Sequence, residues 1–248
     1  MITDTEGIVF RQIKASYGRR MILLFSKKFG KISAGTGIRE KGKSKSSLSL
    51  SPFTYGRYEL FKGRESYNIN SAEVIKSYYA IGENIDKYMN GAYVLEFTEK
   101  ILAEEAPAPG IFNLLLEFFD VLEKRERAIG TLVLAYQTKA LKYSGVFPVL
   151  DRCALCGRRE DLSKFSVRDG GLICGQCGGN MENSHPDTLI YDVEFGIVDI
   201  LKYFAAHSLK NLEGLALKED AGKLLQRILR EYAAYYLDAS DIKSEKLV

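Results

Sequence analysis

Apolar and polar positions alternate through the first quarter of the chain, and a period near 3.6 takes over afterwards. Residues 7–14 (GIVFRQIK) and 20–26 (RMILLFS) are short runs rich in Ile, Val, Leu and Phe. The turn-like residues 15–19, with Gly18, separate them, so the two runs read as paired strands. Residues 31–36 follow Phe29-Gly30, and after a Ser-rich stretch comes a second alternating group, 53–61, with Phe53, Tyr55, Arg57, Glu59 and Phe61 in step. Five or so short strands within residues 1–70 suit a small closed barrel, because closure removes the edges that so small a sheet would otherwise expose.

From residue 71 the pattern is helical. Ser71 reads as an N-cap, and Val74, Ile75, Tyr78, Ile85, Tyr88 and Met89 share one broad face up to the stop Asn90-Gly91. Further helices are predicted over 94–105, closed by the Ala106-Pro107-Ala108-Pro109-Gly110 breaker, over 111–127, and over 131–143 before Gly145 and Pro148. Short loops between them imply antiparallel neighbours, hence a bundle. Residues 192–206 and 219–237 follow a Cys- and Gly-rich interruption; in the second, Leu224, Leu225, Ile228, Leu229, Tyr232, Tyr235 and Tyr236 line one face. The last ten residues are polar and expected to fray.

At 248 residues the chain exceeds the usual single-core size of about 100 to 150, so the fold class is α+β and multidomain. The expected division is a β domain (1–70), a helical domain (71–150), a cysteine module (151–182), C-terminal helices packing on the helical domain (183–238) and a polar tail (239–248). No stretch of about 18 apolar residues suggests a membrane span, and the N-terminus lacks a cationic region followed by an apolar core, so a cytoplasmic protein is expected.

Charge divides unevenly. The whole chain has a net charge of +3, yet residues 1–64 hold 14 Lys and Arg against four acids, a surplus of +10, which leaves 21 basic against 28 acidic residues, or −7, for the rest. A local surplus of that size suits a polyanion, whereas the acidic remainder would be repelled by phosphates and is better placed to pack or to meet proteins. The cationic candidates for nucleic-acid contact are Lys14, Arg19, Arg20, Lys27, Lys28, Lys31, Arg39, Lys41, Lys43, Lys45 and Arg57, with Tyr17, Phe29, Tyr55 and Tyr58 as rings for base stacking.

All four cysteines fall in one pattern, Cys153-x2-Cys156, seventeen residues, then Cys174-x2-Cys177, which is the spacing of a four-thiolate zinc site. Two intervening residues let both thiolates of a pair reach one ion at about 2.3 Å, and Gly157 and Gly178 can turn the backbone just after each pair. Four ligands leave no position for substrate, so a single Zn2+ here is structural. Two disulfides or a thioredoxin-like redox pair fit less well, since a cytosolic chain keeps thiols reduced and no βαβ context surrounds the pairs. His185 reads as a surface residue beside Pro186.

Residues 37–44 (GIREKGKS) satisfy the P-loop pattern Gly-x4-Gly-Lys-Ser. A P-loop requires a helix to begin at its lysine, but KSSLSLSP follows Lys43-Ser44, so a basic loop is the better reading. A nucleotide-binding protein using Gly37 to Ser44 and a zinc-stabilised assembly scaffold remain as alternatives. A ribbon that itself touches nucleic acid is another, since Arg158, Arg159, Lys164 and Arg168 are only partly offset by Glu160, Asp161 and Asp169. No convincing set of catalytic residues stands out.

The order of these parts resembles the RecO family of bacterial DNA-repair proteins. The resemblance rests on Gly7-Ile8-Val9-Phe10, on Leu24-Phe25-Ser26 with Gly30-Lys31, on Gly37-Ile38-Arg39 with Ser51-Pro52-Phe53, and most specifically on residues 145–157 (GVFPVLDRCALCG). It spans nearly the full length. Gly18-Arg19-Arg20 departs from it, with basic residues where an acid would be expected. The resemblance implies an OB-fold N-terminal domain binding single- and double-stranded DNA. It also implies a non-catalytic recombination mediator, associated with the nucleoid, that anneals strands. With the partner RecR such a mediator helps load the recombinase RecA onto DNA coated by single-strand-binding protein, and contacts with that coating protein are implied as well. The cysteine quartet is not universal in the family, which supports a structural role.

Overall fold

The computed structural model describes every residue except 15–19, 39–47, 65, 185–188, 195 and 245–248. It divides into two compact units, one of Met1–Glu123 with Lys243–Val248, the other of Lys124–Ile242.

The first unit begins with five strands: β1 (Ile2–Lys14), β2 (Arg20–Ser26), β3 (Gly30–Thr36), β4 (Thr54–Lys62) and β5 (Tyr67–Ser77). Their order is β1-β2-β3-β5-β4, and β4 returns to pair with β1, so the ladder closes into a barrel with β3 and β5 parallel and the other pairs antiparallel. Alternation sends Val9, Ile22, Leu24, Ile32, Tyr58 and Leu60 into the barrel interior, where they pack with Leu50 and Ile69. Ile8, Val9 and Phe10 are nonetheless buried in succession, because both faces of β1 are covered here, and a bulge follows between Val9 and Arg11. On the outside of the barrel Phe10 stacks on Phe25 at 5.7 Å, and Phe25 meets Phe112 edge-on at 5.2 Å. Gly7 is small for a packing reason, since a Cβ there would lie 2.9 Å from a Leu24 methyl.

The predicted helix starting at Ser71 is a strand. Residues 67–77 pair along β4 from Lys62↔Tyr67 to Thr54↔Ser77, and without them the barrel could not close. Asn84, not Ser71, caps the next helix, its Oδ1 accepting from Lys87 N at 3.0 Å. That helix, α1 (Ile85–Ile101), runs straight through the expected stop at Asn90-Gly91 and replaces the separate helix read over 94–105. Gly91 ends nothing: a Cβ there would meet Phe53 Cε1 at 2.9 Å, so the residue makes room for a ring. A 3₁₀ turn over Tyr79–Glu83 precedes α1, and α2 (Pro109–Lys124) completes the unit.

In the second unit α3 (Ile129–Tyr143) is buried from Thr131 to Leu141 and packs against α5 (Ile197–Ala206) and α6 (Glu219–Leu237). Polar side chains inside are satisfied by main-chain carbonyls: Lys139 Nζ donates to His207 O at 2.8 Å, and Arg125 to Leu212 O at 2.8 Å and Leu215 O at 2.6 Å. Three short strands, β6 (Lys164–Ser166), β7 (Gly171–Ile173) and β8 (Ile190–Asp192), form a separate sheet in the order β7-β6-β8, with α4 (Gly175–Ser184) following β7. The helix predicted from 192 starts only at Ile197: Asp192 pairs with Lys164 of β6, and Val193 N donates to Ser163 O at 2.9 Å. Nor does the polar tail fray where it is described: Glu96 of α1 accepts from Lys243 N and Ser244 N, both at 2.9 Å, and from Ser244 Oγ at 2.6 Å. Among the described residues no helix is long and apolar enough to cross a membrane.

Candidate metal centre and nucleic-acid interface

The four cysteines converge. Cys153 and Cys156 lie on the turn before Gly157, whose φ of +77° is the left-handed conformation that glycine adopts without strain, and Gly157 N donates to Cys153 O at 2.9 Å. Cys174 and Cys177 lie at the β7–α4 junction, where Gly178 N donates to Cys174 O at 2.9 Å. Gly178 does not take up a left-handed turn. Its missing Cβ leaves space for Lys164 Cδ, which would otherwise sit 2.5 Å away.

All four Sγ atoms lie within 4.8 Å of one another, and Cys156 Sγ is 3.8 Å from Cys174 Sγ. A metal–sulfur bond of about 2.3 Å in tetrahedral geometry places neighbouring sulfurs about 3.8 Å apart, so the donor set has the size for one ion. The cysteines are free thiols, and that separation is far beyond a disulfide bond. Burial would raise the Cys153 thiol, but N–H groups of Cys156, Cys174 and Leu155 outweigh it and bring the group down to about 6, as a metal ligand requires. The Cys174 side chain, burial and the other two sulfurs push Cys177 up to about 12. Four sulfurs this close cannot all ionise without a cation among them. Cys153 and Cys174 are buried, Cys177 is half-buried and Cys156 is exposed, so the centre sits at the surface of its unit. His185 lies outside the described residues.

The basic candidates are less uniform. Arg19, Arg39, Lys41, Lys43 and Lys45 lie outside the described residues, as do the side chain of Lys14, Tyr17 and all of the P-loop look-alike beyond Gly37-Ile38. Lys27 and Lys28 sit together on the β2–β3 turn. Lys27 Nζ binds Glu6 Oε2 at 2.7 Å, and this hydrogen bond holds the Glu6 carboxyl below its ordinary range. Glu6 faces Arg57 across the β1–β4 ladder, and Arg57 is exposed. Lys28 Nζ reaches Thr3 Oγ1 at 2.7 Å and lies 5.4 Å from the centre of the Phe29 ring, over which Lys62 also sits at 5.3 Å. Lys31 is bridged to Glu104 at 3.2 Å and to Glu99 O at 3.0 Å, and Arg20 donates to Ile38 O. Arg11, part of the same surplus, forms a two-pronged bridge to Glu99 at 2.8 and 2.9 Å. The acids of α1 and the segment after it thus neutralise part of the barrel's charge, a pairing across more than 70 residues of sequence that no local pattern announces.

The stacking candidates divide as well. Tyr58 is wholly buried with its hydroxyl on Ser49 O at 2.7 Å, so it fills the barrel and cannot meet a base. Tyr55 is half-buried against Phe112, and burial together with Glu6 pushes its hydroxyl up to about 12. Phe29 is half-buried under its two lysines. Sequence reasoning missed a further group of rings, Phe53, Tyr78, Tyr79 and Tyr88, which line a cavity of about 320 Å³ beside the barrel. Their signal was present but was absorbed into strand and helix periodicity.

A cationic five-stranded barrel in one unit and a cluster of four cysteines in another define a modular class of protein with a small β-barrel and a four-thiolate centre. Comparison with known proteins makes this specific. Residues 1–78 match the family model for the N-terminal part of recombination protein O, and residues 82–246 match the model for its C-terminal part. The chain is 31% identical over 245 residues to the DNA repair protein RecO of Alkaliphilus metalliredigens (strain QYMF), covering 98% of this chain and 97% of that one. To the RecO proteins of Oceanobacillus iheyensis and Listeria innocua it is 28% and 27% identical over 250 and 237 residues, covering 93% and 90% of their lengths. The chain belongs to the RecO family.

Proposed function

We propose that this protein is a DNA-binding recombination mediator in DNA repair, and that its N-terminal barrel is an OB fold. The observation that carries the reading is the +10 surplus of residues 1–64 on a five-stranded barrel, a scaffold suited to oligonucleotides. The strand order, with β3 and β5 parallel, supports the OB assignment. The barrel neutralises phosphates on two strands, lowers their mutual repulsion and lets pairing proceed, while the acidic remainder of the chain stays off the DNA and presents docking surfaces. Single- and double-stranded DNA, RecR and single-strand-binding protein are the partners, with RecA served indirectly, and the protein works at the nucleoid in the cytoplasm. None of these roles needs a catalytic group.

Of the candidate contacts, Lys28 and Arg57 are the best placed among the described residues; Lys27 and Lys31 contribute less, because their charges are already shared with Glu6 and Glu104. The cysteine centre holds one Zn2+ through Cys153, Cys156, Cys174 and Cys177. A bound zinc supplies a fixed cross-link and no open coordination position.

The test is binding of a labelled, mixed-sequence single strand without nucleotide across a salt series. A linear fall of log K with a slope of roughly −4 to −7 is expected, at about 0.7 to 0.9 per phosphate. The ion pairs of Arg11, Lys27 and Lys31 place it toward the shallow end. Binding that is absent, or that appears only with ATP, would refute the reading; annealing of complementary strands separates a mediator from a scaffold.

A further inference from the structure

We propose that the ring-lined cavity beside the barrel receives one unpaired DNA base, an inference that rests on the DNA-binding reading above. The cavity measures about 320 Å³, at the small end of the range of about 300 to 1,000 Å³ for ligand sites, which is room for one planar group and not for a length of chain. Four rings, Phe53, Tyr78, Tyr79 and Tyr88, line it beside Leu48 and Pro52. Tyr79 and Tyr88 are 70% and 45% exposed, so their ring surface is open to a partner.

Three features favour a base over other occupants. Rings outnumber the aliphatic side chains of the lining, and rings offer the π-faces on which bases stack. A pocket for a cation would carry an acid, and no charged side chain is among the described lining residues. In the sequence Leu48 of the lining follows Arg39, Lys41, Lys43 and Lys45, and cations of that run suit the phosphates that accompany a base.

The fold also spends strain on the arrangement. Phe53 has φ of +61°, a conformation that a bulky residue adopts only under strain. In return its ring lies 5.8 Å from Tyr88 and 5.6 Å from Phe119, with Gly91 cut back to admit it.

The experiment compares the full-length wild-type protein with a Tyr79→Ala/Tyr88→Ala variant and with Tyr79→Trp, on a labelled single strand and on a duplex of the same length. Stacking of one base is worth about 1 to 3 kcal/mol, so single-strand affinity should fall about 5- to 150-fold in the double variant, with the salt slope unchanged and Tyr79→Trp retaining affinity. Duplex affinity should hold, because its bases already stack on one another. Quenching of a 2-aminopurine in the strand should disappear with the tyrosines. Unchanged single-strand affinity overturns the proposal and leaves the cavity to a peptide side chain. An equal loss on strand and duplex overturns it too, because the tyrosines then act through the fold. Failure of the wild-type protein to bind any DNA defeats the function itself, a result visible before any variant is made.

Discussion

The barrel and the cysteine module solve the same problem with opposite means. The barrel closes a ladder of strands seven to thirteen residues long around an apolar interior that includes Val9, Leu24 and Leu60. The module has strands of three residues and a buried cluster of Cys153, Ile173 and Cys174, two of which are thiols. The first packs an apolar interior; the second places its sulfurs where side chains would otherwise pack, and under the zinc reading an ion ties them. Under that reading the cationic surface rides on the part without the metal site, so DNA binding and metal support are separable.

The largest expected effect tests that separation. Cys174→Ser, or a strong chelator, should remove one equivalent of metal per chain. Hydrogen exchange should then show residues 153–177 losing their protection, since a structural zinc site contributes an apparent 10 to 16 kcal/mol or so. The barrel strands should exchange as before. If they lose protection with the module, the two regions are one cooperative system and the contrast fails.

Its mirror image is Leu24→Ala, which empties a fully buried barrel position and should cost about 2 to 5 kcal/mol in urea unfolding while metal content stays at one. Gly91→Ala sharpens the point within the barrel's own unit. Its Cβ collides with the Phe53 ring, so a cost of about 1 to 3 kcal/mol should appear together with altered fluorescence of a base analogue in the cavity.

Charge effects are smaller and graded by pairing. Lys28→Ala with Arg57→Ala should make the salt slope shallower by about 1.4 to 1.8, two phosphates at 0.7 to 0.9 each. Lys31→Ala should change it much less, because Glu104 and Glu99 O already hold that ammonium. Equal slopes for both variants would mean that these ion pairs open on DNA.

The smallest effect belongs to the tail. Burial raises the Glu96 carboxyl, but the donors from Ser244 and Lys243 outweigh it and hold the group below its ordinary value. A carboxyl lowered in the folded state stabilises above its unfolded pKa and loses that contribution as pH falls through the folded one. Amides 243 and 244 should therefore lose protection only in the acid range below about pH 4, the unfolded carboxyl value, and Glu96→Gln should remove the dependence. Protection that persists there would mean that burial of Ile242 and Ser244, not the carboxylate, holds the tail.

The places where local pattern and structure part company share a cause. β2 and α6 have the limits read from the sequence, because each carries its own period without interruption. Residues 71–77 carry apolar positions compatible with a helix, yet β4 needed a partner and a strand pairing overrode the local preference. The same happened at Asp192, the first residue of a predicted helix, which pairs with Lys164 of β6 instead. Asn90-Gly91 looks like a stop because glycine after a helix often is one, and only a ring arriving from Phe53 explains it. Tyr55 and Tyr58 both lie on β4 of a basic domain; which one fills the barrel is a matter of register.

What the sequence by itself determined is whatever depends on short-range spacing or on totals. Two Cys-x2-Cys pairs can reach one ion because two residues set the distance between thiolates, and a surplus of +10 survives any error in register. What only the tertiary structure decided is whatever depends on a partner far along the chain. Closure of the barrel, the sharing of Arg11 and Lys31 with acids of α1 and of the segment after it, and the assembly of four rings into a cavity all join segments that no period relates. Those contacts arise from burying surface and pairing charge across the fold, and their free energy is written in three dimensions before it can be read along one.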